Sequence, residues 1–148
     1  MGNTLSISNS KGQDLGLTIL RVGVGVLFFY FGWQKLAGGA QLWAMIGGAM
    51  NFLGISFAPT FFGLLATIAE FAGGLLLALG LFTRWASWSL VITMVVAVIL
   101  KANTGNGMVD VASPLFALLI TLAFALGGGG AWSVDNVLKQ KKSSGALA

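Results

Sequence analysis

Residues 60–82 read TFFGLLATIAEFAGGLLLALGLF, an apolar run interrupted by a single ionisable residue, Glu70. A bilayer crossing needs about 20 predominantly apolar residues, and hydrocarbon forces the backbone to satisfy its own hydrogen bonds. The stretch therefore predicts a membrane-spanning helix. Outward from it, three more runs have the same character: 15–31 or a little beyond, LGLTILRVGVGVLFFYF, with Arg21 as its only charge; 85–100, bounded by Arg84 and Lys101; and 109–127, with Pro114 in its first turns. The expected fold is all-α, an integral membrane four-helix bundle. No short segments alternate polar and apolar residues as the strands of a membrane barrel do.

Composition agrees with that solvent. Of 148 residues, eight are Lys or Arg and four are Asp or Glu, while 57% are hydrophobic; mean hydropathy is +0.91. A soluble domain carries about 25% charged residues, so a chain with 8% would expose large apolar patches in water. The sequence has no Cys and no His. That excludes disulfides, thiol catalysis, imidazole-ligated haem and thiolate-ligated metals, and it removes the commonest general base. No metal site is expected.

The segment 32–59, GWQKLAGGAQLWAMIGGAMNFLGISFAP, separates the first two runs. Its portion 40–55 is too apolar for a free loop and too short for a comfortable crossing. A short interfacial or re-entrant segment between helices 1 and 2 is expected, with Trp43 and Phe52 as anchors; a fifth crossing is the competing reading, weakened by Gly47, Gly48 and Asn51. Residues 82–85 make a tight turn, and 101–108, KANTGNGM, reads as a flexible loop. The organisation is then a polar N-terminal tail (1–14), a transmembrane domain (15–135) and a basic C-terminal tail (136–148). The first residues make a poor secretory signal, since an Arg lies within the first apolar run and no convincing cleavage site follows.

On a four-span layout, the side holding both termini carries Lys11, Arg84, Lys139, Lys141 and Lys142, with Arg21 close to it. The other side carries Lys35 and Lys101. An excess of Lys and Arg marks the cytoplasmic face, so both termini are predicted to lie there. The net charge of +4 is explained by this topology. No basic stripe interleaved with aromatics points to nucleic acid.

Twenty-two glycines are present, many inside the spans. Gly23, Gly25, Gly32, Gly63, Gly73, Gly74 and Gly80 would let helix backbones approach closely, or alternatively make room for a ligand or for helix movement. Two charges stand well inside otherwise apolar runs, while Asp110 lies at the very start of the last one. Glu70 falls near the midplane, and Arg21 lies about 9 Å inside the start of the first helix at ~1.5 Å per residue. A charge in hydrocarbon demands a partner, so Arg21 and Glu70 are expected to meet as a structural or ligand-binding polar pair. Candidate neighbours are Tyr30, Trp33, Gln34, Lys35, Thr67 and Arg84; Tyr30 and Trp33 also fit an aromatic belt on the outer side.

These residues resemble the DoxX family of small bacterial four-span membrane proteins. Arg21, Gly25, Gly32, Lys35 and Leu36 fit the family pattern R-x3-G followed by G-x-x-K-L. The stretch EFAGGLLLALGLFTR, from Glu70 to Arg84, is the most specific match, and GGGAWSVD, from Gly128 to Asp135, resembles the family's terminal motif. Family members commonly carry His where this chain has Phe31, and Pro where it has Gly129, so no imidazole role transfers. Asp110 is a candidate counterpart of an acidic residue near the start of helix 4.

The resemblance implies a bacterial inner-membrane protein. Some relatives are subunits linked to quinone-dependent oxidation of sulfur compounds or to terminal quinol oxidation; others belong to oxidative-stress or membrane-integrity complexes. With no His, no Cys and no soluble catalytic domain, catalysis by this chain alone is not expected. The preferred expectation is an accessory or scaffolding subunit that binds a quinone or lipid between helices 1 and 2, contacting membrane lipids and other subunits or further copies of itself. The alternative is a small-molecule or lipid transporter that uses Glu70 in gating.

Overall fold

The computed structural model describes the backbone of residues 4–105 and 107–145, and side chains from 11 to 105 and from 107 to 140. Its elements are α1 (Thr4–Ala37), α2 (Gly39–Gly47), a 3₁₀ helix (Gly48–Leu53), α3 (Pro59–Leu79), α4 (Thr83–Thr104), α5 (Met108–Gly127) and α6 (Val134–Gly145). Among the described residues, four helices are long and apolar enough to cross a membrane: Lys11–Ala37, Pro59–Leu79, Thr83–Thr104 and Met108–Gly127. They are the four runs read from the sequence. α1 packs on α3, α3 on α4, and α4 on α5. Phe28, Leu77, Leu90, Met94 and Phe124, drawn from all four, form the central apolar cluster.

Four boundaries differ from the sequence reading. α3 ends at Leu79 and α4 starts at Thr83, so the turn is 80–82 rather than 82–85. α1 is wound from Thr4, so residues 4–14 continue the first span as helix rather than hanging as a tail. α4 runs past Lys101 to Thr104, where Asn103 Nδ2 donates to Ile99 O (2.7 Å) and Thr104 Oγ1 to Leu100 O (2.7 Å). Those side chains bond back to carbonyls of the preceding turn, and the helix covers residues that read as loop. The basic tail is likewise helical through Gly145. The segment 40–55 resolves into α2 and the 3₁₀ helix. Nine α-helical residues rise only about 14 Å, so this is no fifth crossing. It packs on the first turns of α3, where side chains on Gly47 and Gly63 would overlap the backbones of Pro59 and Trp43.

Glycines also set the α1–α3 seam. A side chain on Gly25 would overlap the backbone of Ala78, one on Gly32 the backbone of Phe71, and one on Gly74 the backbone of Phe29. The paired numbers add to 103 in each case, which fixes an antiparallel register. Close packing of small residues supplies the association that lipid does not drive. Gly23, by contrast, faces open space. On α1 the buried positions Arg21, Gly25, Phe28 and Gly32 follow helical spacing, and partly buried Lys35 continues the stripe. The sequence motif is thus one helix face.

Candidate functional site

The register decides which charges meet. Glu70 stands level with position 33 of α1, twelve residues from Arg21 and about 18 Å along the axis at ~1.5 Å per residue. Helical side chains lean toward their own N-terminus. In antiparallel α1 and α3, Arg21 therefore leans to the cytoplasmic end while Glu70 leans to the outer one. The expected Arg21–Glu70 pair does not form. Glu70 Oε2 instead accepts from Lys35 Nζ in a direct ion pair. The Glu70 side chain is 6% exposed and that of Lys35 32%, so the pair joins a buried carboxylate to a partly accessible ammonium.

The other predicted neighbours divide. Thr67 is buried one turn before Glu70, but its hydroxyl donates to Gly63 O (2.8 Å). Tyr30, Trp33 and Gln34 lie on the outer surface of the bundle. Trp33 stacks near Phe71, with ring centroids 6.0 Å apart, rather than turning toward the carboxylate. Arg84 belongs to the opposite end, where its Nη2 donates to Leu126 O (3.0 Å). Trp43 adds a contact that sequence spacing did not disclose: its Nε1 donates to Lys35 O (2.9 Å), tying α2 to the last turn of α1.

Arg21 anchors a second polar cluster at the end that charge counting assigns to the cytoplasm. It is 2% exposed, and its Nη2 donates to Trp132 O (3.2 Å) in the loop before α6. Its guanidinium fills the space beside Gly80, which has φ +71° and ends α3. Only glycine serves there, because a side chain would be strained and would overlap Arg21. Two residues on, Phe82 also has positive φ (48°), and it stands at the N-cap of α4 without a capping side chain.

The cap comes from a residue 53 positions away. Asp135 Oδ1 accepts from Phe82 N (2.7 Å) and Oδ2 from Thr83 N (2.8 Å), while Asp135 N donates to Gly80 O (3.0 Å). A carboxylate at a helix N-terminus satisfies orphan amides and complements the helix dipole. Burial pushes the Asp135 pKa up, but the two backbone donors, aided by Lys139, outweigh it and hold the carboxyl below its ordinary value of 3.8. Sequence reading missed this role. The available signal was a helix beginning Phe-Thr-Arg with no acidic residue in its first turn, which requires a cap from elsewhere.

Two cavities adjoin this cluster. One, of about 570 Å³, lies between the start of α4, the loop 127–131 and α6. The other, of about 410 Å³, is an apolar groove between α3 and α4. Neither lies in the α1–α3 seam, where a ligand was expected; Gly25, Gly32 and Gly74 close that seam backbone to backbone.

The DoxX family model matches residues 16–102. "Inner membrane protein YqjF" of Escherichia coli (strain K12) is 29% identical over 137 residues, covering 88% of this chain and 98% of that protein. "Putative oxidoreductase CatD" of Bacillus subtilis (strain 168) is 26% identical, covering 94% and 98%. "Uncharacterized membrane protein Rv3486" of Mycobacterium tuberculosis (strain ATCC 25618 / H37Rv) is 33% identical, covering 84% and 82%. No solved structure matches the chain.

Proposed function

The chain belongs to the DoxX family, and on that premise we propose that this multi-pass protein of the bacterial inner membrane is an accessory or scaffolding subunit of a membrane redox assembly, with a quinone or lipid as its apolar ligand. The observation that carries this reading is the use made of the charges within the spans. Lys35 and Glu70 join α1 to α3, and Arg21 joins α1 to the loop before α6. Side chains committed to holding helices together suit a scaffold. The name of the Bacillus subtilis relative supplies the redox direction.

The test is affinity purification of the tagged full-length chain from native membranes in mild detergent, with quinol oxidation measured in membranes that lack it. Co-isolation of a redox enzyme, and loss of its activity on deletion, is the expected result. Unchanged activity with no partner retained contradicts it.

Transport gated by Glu70 is favoured by one feature, the partial exposure of Lys35, which leaves the ion pair open to competition from one side. Flux into liposomes containing this chain alone, lost in Glu70→Gln, would select that reading over the scaffold.

A further inference from the structure

The two cavities differ in chemistry and meet at a shared rim. The larger is bordered by Arg84 and Lys139 at the cytoplasmic end of the bundle, and the apolar groove runs along α3 and α4 from that end. Phe82 and Trp85 line both. Along α3 the groove extends from Leu76 to Leu65, about 17 Å at ~1.5 Å per residue. That is close to half of the ~30 Å hydrocarbon thickness, the depth of one leaflet. From this juxtaposition we infer that the chain holds an anionic phospholipid of the cytoplasmic leaflet, its phosphate between Arg84 and Lys139 and an acyl chain in the α3–α4 groove.

Charge complementarity selects the head group. Among the described residues Arg84 and Lys139 set two cations against one carboxylate in the lining, Asp135, which is bonded through both oxygens to the amides of Phe82 and Thr83 and also interacts with Lys139, so one positive charge is left over. Arg84 uses one N–H on Leu126 O, and a guanidinium has five, so donors remain for a phosphate. Trp85 is exposed at the rim, the position at which an amphipathic ring suits the head-group boundary. The groove contributes a near-uniform apolar lining, with the half-buried Ser89 as an exception whose hydroxyl donates to Ala86 O (2.7 Å). Small residues, Ala69 and Ala72, line it on α3, and Gly73 marks its narrow side, where α3 lies close against Ser89 and Leu90 of α4. The site does not depend on a redox role for the protein, because chain and lipid are its only components.

The experiment is native mass spectrometry of the delipidated full-length protein, titrated with phosphatidylglycerol and with phosphatidylcholine of identical acyl chains. The wild type is expected to retain one phosphatidylglycerol in preference to phosphatidylcholine. Each Lys or Arg near an anionic surface contributes roughly fivefold to binding, so Arg84→Gln with Lys139→Gln should weaken phosphatidylglycerol on the order of 20-fold and erase the preference. Lys139→Gln alone, which leaves the Arg84–Leu126 bond intact, should weaken it about fivefold. Ala72→Phe, which fills the groove, should weaken both lipids alike. Equal retention of the two lipids by the wild type, or an undiminished preference in the Lys139 variant and the double variant, overturns the inference.

Discussion

The two ends of the α1–α3 pair settle buried charge in different ways. Toward the outer side, Glu70 is answered by another side chain, Lys35, two residues from the position on α1 with which it is level. At the cytoplasmic end the bonds go to main-chain groups of segments far away in sequence: Arg21 donates through Nη2 alone to Trp132 O, its Nε and Nη1 finding no partner among the described residues, and Asp135 accepts from the amides of Phe82 and Thr83. The first arrangement holds two spans together where lipid gives no drive. The second closes a three-residue turn and seats α6 against it. A side-chain pair is broken by losing either partner, whereas a carboxylate on two amides leaves only a frayed helix start when removed.

The widest break comes from the seam that both ends share. Gly74→Leu forces a side chain into the backbone of Phe29, so α1 cannot lie against α3 at either end. Loss of the monodisperse folded species on size-exclusion chromatography is the expected outcome. Next is the outer pair alone. Removing one partner of a buried pair costs roughly 3–5 kcal/mol, and Lys35→Met should fall toward the lower end because Lys35 is 32% exposed. Lys35→Met combined with Glu70→Met should recover much of that loss, as read by reversible unfolding in detergent.

At the cytoplasmic end the effects are smaller. Asp135→Ala removes the cap of α4 and should cost about 0.5–2 kcal/mol, with faster hydrogen exchange confined to the amides that start α4. The smallest effect is on pH dependence. Because the folded state holds the Asp135 carboxyl below its ordinary value of 3.8, its contribution is present above that value and is lost as pH falls through the lowered folded value. The stability difference between wild type and Asp135→Asn should therefore shrink as pH falls below about 4, and a constant difference across that window would contradict the capping role.

The spans were legible because length and apolarity suffice to specify them, and α1, α3, α4 and α5 each correspond to one of the four runs, although α3 stops three residues before its run ends. Which residues share a face was legible too: the spacing of Arg21, Gly25, Gly32 and Lys35 is one stripe of α1. Pairing across helices was not. Arg21 and Glu70 stand out as the two charges well inside the runs, but their meeting depends on the antiparallel register and on the direction in which helical side chains lean. Lys35 looked like a helix end because it sits in the last turn of α1. Asp135 was hidden for a different reason: its partners are amides, and the uncapped start of α4 does not say which distant carboxylate supplies the cap.

The central claim is that Glu70 is held by Lys35 and not by Arg21. A pair of double-mutant cycles on unfolding free energy tests it, one with Lys35→Met and Glu70→Gln, the other with Arg21→Met and Glu70→Gln. The account predicts a coupling between Lys35 and Glu70 within the ~0.5–3 kcal/mol typical of contacting residues, and additivity within about 0.5 kcal/mol for Arg21 and Glu70. Coupling of Arg21 to Glu70 with additivity at Lys35 would contradict it.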